Sequence, residues 1–332
     1  MSNIKIPVSV LNLAPIRAGE DAKQAIDNVV SLAQYVEALG YNRFWIAEHH
    51  NTPNLASSAT VVLINQVLNH TESIQVGAGG IMLPNHAPLV VAEQFGTMET
   101  LFPNRLNLGL GRAPGTDMMT ASALRRSQHD SVHTFPDDVA SLLQYFGPEN
   151  RQSYVRAYPG TDTNVPVYIL GSSTDSAHLA ARLGLPYVFA SHFAPEQMRE
   201  AIAIYRNLFT PSEYLEKPYV MVGLNVIAAE TDEEAEFLAS SMHMMFLSII
   251  RNSRQPLQPP THNIDAIWSP QERLMATSRT ATGLFGSPES VKQQLKDFQK
   301  EYNADEIIAV SYIYDADKQK RSYKILKDIT SS

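Results

Sequence analysis

Trp45-Ile46-Ala47-Glu48-His49-His50 is an apolar run that passes directly into one acid and two imidazoles. Imidazole has the side-chain pKa nearest neutrality, so a histidine at the end of a buried strand is the default candidate for general acid–base work. His49 and Glu48 are therefore the candidate catalytic residues. A local explanation stands beside this one, because Glu and His at strand ends also serve simply to satisfy backbone groups. A metal site is a third option. The remaining histidines show no tight ligand spacing, and no metal is expected.

Three further segments carry chemistry of a different kind. Val76-Gly77-Ala78-Gly79-Gly80-Ile81-Met82-Leu83-Pro84 removes three side chains at a strand end, where something flat could approach the backbone. A bulge or a tight barrel corner explains the glycines equally well. Leu108-Gly109-Leu110-Gly111-Arg112-Ala113-Pro114-Gly115 imitates a dinucleotide-binding glycine motif, but Pro114 stands where the third glycine belongs. Such a motif also normally follows the first strand. Arg112 reads better as a phosphate clamp, since a guanidinium fork matches phosphate geometry. Leu170-Gly171-Ser172-Ser173-Thr174-Asp175-Ser176 runs from a strand into a helix. Hydroxyls and free N–H groups at a helix start form an anion site, whereas an ordinary N-cap needs only one of those hydroxyls.

Short apolar runs alternating with helical patterns must position these segments. Strands are predicted at Pro7–Leu13, Arg43–Ala47, Ile74–Gly79, Leu106–Leu110, Val167–Leu170, Tyr187–Ser191, Met221–Ala228 and Glu306–Ser311. Helices are predicted between them, including Asp232–Arg251 and Glu289–Tyr302. In the latter, Val291, Leu295, Phe298 and Tyr302 step by 4, 3 and 4 and share one apolar face. Eight strand–helix units are what a (β/α)8 TIM barrel requires, and catalytic residues then sit on loops at the C-terminal strand ends. A doubly wound sheet with an appendage is the competing layout. Arg112–Thr134 and Asn252–Arg279 lack clear periodicity and are read as long insertions at that end. No repeat or linker divides the chain, so residues 1–332 are expected to form a single domain.

Composition narrows the function classes. The chain has 26 basic and 34 acidic residues, a net charge of −8. That disfavours nucleic acid, which is bound largely through Lys and Arg, and also an anionic membrane surface. The absence of cysteine excludes disulfides, thiolate nucleophiles and Cys-ligated centres. Neither a secretory leader nor an apolar run of about 18 residues is seen, so a cytoplasmic protein is expected.

Together, Trp45–His50, Gly77–Pro84, Asn104–Gly115 and Gly171–His192 resemble the luciferase-like flavin monooxygenases, in particular the branch called luciferase family oxidoreductase group one. The resemblance spans nearly the whole chain. It implies that His49 is the catalytic histidine and that a non-proline cis peptide falls at Gly79-Gly80. It further implies that Arg112 holds the FMN phosphate together with Ser172, Ser173 and Ser176. The cysteine that precedes the clamp arginine in luciferase is replaced by Gly111, which argues against light emission. The implied reaction uses reduced FMN, supplied by an NAD(P)H:flavin reductase, and O2 on a small organic substrate, with a homodimer as the family's usual assembly. A deazaflavin-dependent hydride-transfer enzyme, a non-catalytic flavin-binding protein and an unrelated barrel hydrolase or lyase are the alternatives.

Overall fold

The structure is a computed structural model, and it describes residues 4–113, 115–124 and 134–331. Pro114 and most of the second half of the Arg112–Thr134 stretch lie outside the described residues. In chain order the elements are β1 Val8–Asn12, α1 Ala22–Ala38, β2 Arg43–Ile46, α2 Thr60–His70, β3 Gln75–Met82, α3 Pro88–Leu101, β4 Leu106–Gly111, α4 Met118–Leu124 and α5 Phe135–Phe146. They continue with β5 Val167–Gly171, α6 Thr174–Leu183, β6 Tyr187–Phe189, α7 Met198–Leu208, β7 Val220–Ala228, α8 Asp232–Ile250, α9 Pro270–Ser278, β8 Leu284–Gly286, α10 Pro288–Tyr302, β9 Glu306–Val310 and α11 Ala316–Ser331.

All strand pairs are parallel, and the order β1-β2-β3-β4-β5-β6-β7-β9 closes on itself. This is the eight-stranded barrel expected from the strand count. β7 is long enough to serve two partners. Its Met221–Asn225 segment pairs with β9, while Val226–Ala228 pairs with the short β8 beyond the barrel wall.

The period-two alternation of the strands builds two separate apolar regions. Val8, Val10, Phe44 and Ile46 face outward and pack on Val29, Leu32, Ala33 and Val36 of α1. Leu11, Trp45, Tyr168, Val188 and Val310 face inward. Ser9, Arg43 and Glu306 also point inward and form a polar layer at the N-terminal end, where Arg43 and Tyr219 both bind the fully buried Glu306.

The helix predicted over Asp232–Arg251 is present as α8, but it does not pack on the outer face of the barrel. Instead Leu238, Met242 and Phe246 of α8 join the inward-facing cluster with Leu11 and Trp45. It is α10 that lies outside, packing Val291, Leu295 and Phe298 on the outer cluster. Helices α8 and α9, with their connection, are thus an insertion over the C-terminal mouth. Leu257 pins it, exchanging backbone hydrogen bonds with Ile16 and Ala18 after β1 at 2.8 and 2.9 Å. The stretch read as irregular holds α9, which starts with a full capping box between Ser269 and Glu272 and has Pro270 in its first turn.

Candidate active site

The C-terminal strand ends gather the candidate residues. His49 lies three residues beyond β2, and its Nδ1 is buried without a hydrogen-bond partner. Burial pushes its pKa down to about 4; the positive charge of Arg254 acts in the same direction, and Glu48 opposes them. At neutral pH His49 is therefore an uncharged imidazole. Arg254 comes from the pinned insertion and reaches Thr52 Oγ1 at 3.4 Å.

Glu48, almost fully buried, is the centre of a hydrogen-bonded cluster. An ionised carboxylate can only accept. Oε1 takes His50 Nε2 at 2.7 Å and His86 Nε2 at 2.9 Å, while Oε2 takes the Met82 backbone N–H at 3.0 Å. Burial alone raises the pKa of this acid, but the hydrogen bonds from His50, His86 and Met82 outweigh it and hold it at about 2. Glu48, His50 and His86 bring three ligand atoms within 4.8 Å of one another, a gathering that spacing along the chain does not reveal. Ligands on a shared tetrahedral ion with bonds near 2.0 Å stand roughly 3.3 Å apart. The separations of 2.7 and 2.9 Å from Glu48 Oε1 to His50 and His86 are those of hydrogen bonds.

The peptide bond between Gly79 and Gly80 is cis, and the β3–β4 ladder shifts register between Gly79 and Ile81. Both glycines are required by the barrel itself. A Cβ at Gly79 would stand 2.7 Å from Leu11 Cδ1 and 2.9 Å from Trp45 Cε3, and one at Gly80 would stand 2.6 Å from the Gly109 carbonyl oxygen. The packing explanation and the ligand explanation therefore apply to the same two residues.

Arg112 follows β4 immediately and pairs with Asp175 in the first turn of α6 at 3.0 Å, with both side chains well exposed. Ser173 occupies the N-cap of α6 without bonding its hydroxyl back to the helix. The three serines separate in role. Ser176 Oγ donates to the Ser173 carbonyl at 2.7 Å and lies 3.2 Å from Tyr187 Oη, whereas Ser172 and Ser173 make no described side-chain hydrogen bond. Arg112, Asp175 and Ser176 border a cleft of about 570 Å3 whose wall also includes His178 and Arg182.

Sequence reasoning missed His86, Asn225 and Ser311, whereas His192 ends the Gly171–His192 stretch that carries the family resemblance. His86 and His192 lie four and three residues beyond β3 and β6, Ser311 follows β9, and Asn225 is the last β7 residue paired with β9, so nearness to the C-terminal end of the barrel wall was the available signal. His192 Nδ1, Asn225 Oδ1 and Ser311 Oγ are buried without partners, like His49 Nδ1. A mouth lined by unpartnered polar atoms, with a cation and a helix start at its edge, suits an elongated ligand carrying an anionic end and a polar ring.

Comparison with known proteins gives the family. The family model described as luciferase-like monooxygenase matches residues 6–303. The luciferase-like monooxygenase of Escherichia coli (strain K12) is 44% identical over 329 residues, covering 99% of this chain and 98% of the relative. The N-acetyl-S-alkylcysteine monooxygenase of Bacillus subtilis (strain 168) is 30% identical over 330 residues, covering 97% and 98%. The crystal structure of apo-MsnO8 superimposes with a TM-score of 0.91 at 31% identity, covering 98% of both chains. Two structures at a TM-score of 0.70 share the fold alone. One is the oxygenating constituent of 3,6-diketocamphane monooxygenase from Pseudomonas putida in complex with FMN, at 15% identity; the other is an F420-dependent secondary alcohol dehydrogenase, at 13%. With its closed barrel, its polar mouth and a family match over nearly its whole length, the chain belongs to the luciferase-like monooxygenases.

Proposed function

We propose that the chain is the oxygenating component of a two-component flavin monooxygenase, taking reduced FMN from a separate NAD(P)H:flavin reductase and using O2 to oxygenate a small organic substrate. One observation carries this reading: an arginine beside the start of α6 and the buried, unpartnered His49 Nδ1 lie at the same barrel end. Bound reduced flavin supplies the electrons that activate O2, chemistry that no side chain of this site possesses. Arg112, the first turn of α6 and the hydroxyls of Ser172 and Ser173 hold its phosphate. Asp175 keeps the Arg112 guanidinium in place and shares or yields it to the phosphate. The Ser176 hydroxyl, engaged with Ser173, shapes the turn.

His49 serves as the acid–base group at Nδ1. Glu48 has both carboxylate oxygens occupied and acts as a positioning residue. It orients His50 and His86 and ties the β2 and β3 loops together. The backbone at Gly79-Gly80 gives the ring system a surface free of side chains, and α8 and α9 keep water from the mouth. The relative acting on N-acetyl-S-alkylcysteines makes small thioethers the first substrates to assay.

Anaerobic titration with photoreduced FMN, oxidised FMN and F420 tests the reading, on wild type and on Arg112→Ala. Reduced FMN is expected to bind tightest. Loss of a charge-assisted contact of about 1.5–3 kcal/mol weakens it roughly 10- to 100-fold in the variant. Binding of F420 alone replaces this function with deazaflavin hydride transfer. Binding of neither overturns the assignment of the anion site.

A further inference from the structure

The imidazole of His192 plays no part in the reading above, yet it is placed with care. It lies three residues beyond β6, and in the strand order β1-β2-β3-β4-β5-β6-β7-β9 the strands β2 and β6 stand four positions apart. In a ring of eight they are diametrically opposed, so His49 and His192 extend from opposite walls of one mouth. The backbone around His192 is held from two sides. Asn225 Nδ2 donates to the His192 carbonyl at 2.8 Å, and Ser191 Oγ donates to the Gly223 carbonyl at 2.8 Å while accepting from Thr282 Oγ1 at 3.2 Å. The ring lies against β7 at a residue without a side chain, where a Cβ on Gly223 would come within 2.5 Å of His192 Nδ1. Despite this fixed setting, Nδ1 is buried and has no hydrogen-bond partner.

A buried nitrogen left unpaired loses its hydrogen bonds to water without replacing them. Native structures rarely leave such a group without a reason, and a ligand-binding or catalytic role is a principal one. Here two such imidazoles occur, on opposed strands, with the unpartnered Asn225 Oδ1 and Ser311 Oγ between them along the wall.

We propose that His192 is a second catalytic imidazole, which with His49 grips the reacting group from the opposite side of the mouth. This inference rests on the reading of the mouth as the active site and adds the second residue to it. A neutral imidazole offers one donor and one acceptor nitrogen. Across the mouth, one ring can take a proton from the bound group at its free nitrogen, become the imidazolium and return that same proton later in the cycle, while the other stays neutral and holds the group by a hydrogen bond. The charged and titratable groups around the pair are Glu48, His50 and Arg254 beside His49, and Arg279, whose guanidinium lies over the Phe193 ring, beside His192. Burial, and next the charge that His49 would carry, push the His192 pKa down to about 4, so both rings are neutral at pH 7.

The first test needs no cofactor. Histidine ring resonances of the full chain are followed by NMR from pH 3 to 8 in wild type and His49→Gln. His192 is expected to titrate well below the usual 6.5, and its midpoint should rise when His49 can no longer carry charge. An unchanged midpoint overturns the pairing. The second test is turnover with reduced FMN and a thioether. His192→Gln is expected to lower kcat about 100-fold, within the range of general acid–base effects, while changing the Kd for reduced FMN less than about twofold. Gly223→Ala keeps the imidazole but displaces it, and should lower kcat about 10-fold. If His49→Gln abolishes turnover while His192→Gln and Gly223→Ala retain it, this inference fails and the assignment of the mouth survives. If all three retain full turnover, the assignment of the mouth fails as well.

Discussion

At the N-terminal end of the barrel interior, Arg43 donates to Glu306 at 2.9 Å, to Gln75 at 2.8 Å and to Asn107 at 2.9 Å, and Tyr219 closes the layer onto Glu306 at 2.7 Å. At the C-terminal end, some turns of side chain above, His49, His192, Asn225 and Ser311 each leave a buried nitrogen or oxygen without a partner. The same strands carry both layers, so the contrast is not one of fold. Charges and polar groups enclosed at the bottom satisfy one another, as a buried network must to be tolerated. Of the polar groups at the top, those of His49, His192, Asn225 and Ser311 leave hydrogen-bonding capacity unused. A barrel thus separates stability from chemistry along its own axis, and the separation can be tested layer by layer.

Breaking the lower layer has the largest expected effect. Glu306→Gln leaves the Arg43 guanidinium buried without its counter-charge, and removing one partner of such a pair costs about 3–5 kcal/mol. Urea or thermal unfolding should show that loss, while the folded protein retains its affinity for reduced FMN. A loss below about 1 kcal/mol would mean that the lower layer is not the anchor of the barrel. Glu48 is intermediate, because it sits in the upper layer yet is fully engaged. Its pKa of about 2 lies below the ordinary 4.5. The stabilisation it contributes is therefore complete above pH 4.5 and lost as pH falls toward 2, on the order of 3 kcal/mol. Glu48→Gln should lose this contribution at pH 7 and show a flatter stability curve across that window. A variant curve that tracks the wild type would assign the acid sensitivity to other carboxylates.

The two layers were not equally legible in the sequence. The barrel was, because its strands are apolar on both faces and the segment from Trp45 to His50 changes character abruptly where β2 ends. The glycines of β3 and the position of Arg112 were legible as well. The location of α8 was not, since Phe237, Leu238, Met242, Met245, Phe246 and Ile249 cover too much of its circumference to indicate one outer stripe. β8 is three residues long and carries no period to detect. His86 reaches Glu48 from 38 residues away, and the opposition of His49 and His192 exists only once the barrel closes. Such pairings follow from tertiary closure, and a reading along the chain cannot supply them. In the Ser-rich loop the residue types pointed to an anion site, but only the structure distinguishes the engaged Ser176 from Ser172 and Ser173.

The smallest effect at neutral pH, and the most specific to the upper layer, concerns the unpartnered imidazoles. His49→Gln replaces one polar group without a hydrogen-bond partner by another, so stability at pH 7.5 should change by no more than about 1 kcal/mol. Acidification separates the wild type from the variant. The unfolded chain takes up a proton on histidine near pH 6.5, whereas folded His49 resists protonation until about pH 4. Between those values the unfolded state binds more protons, and stability falls as pH falls, by up to about 1.4 kcal/mol per pH unit for each such imidazole. His49→Gln should remove one imidazole's share of this slope, and His49→Gln combined with His192→Gln should remove the share of both. Unfolding free energies measured at pH 7.5, 6.5, 5.5 and 4.5 decide the matter. A slope unchanged in the double variant would mean that both rings are protonated as readily in the folded mouth as in water, and the contrast between the two ends of the barrel would then lose its physical basis.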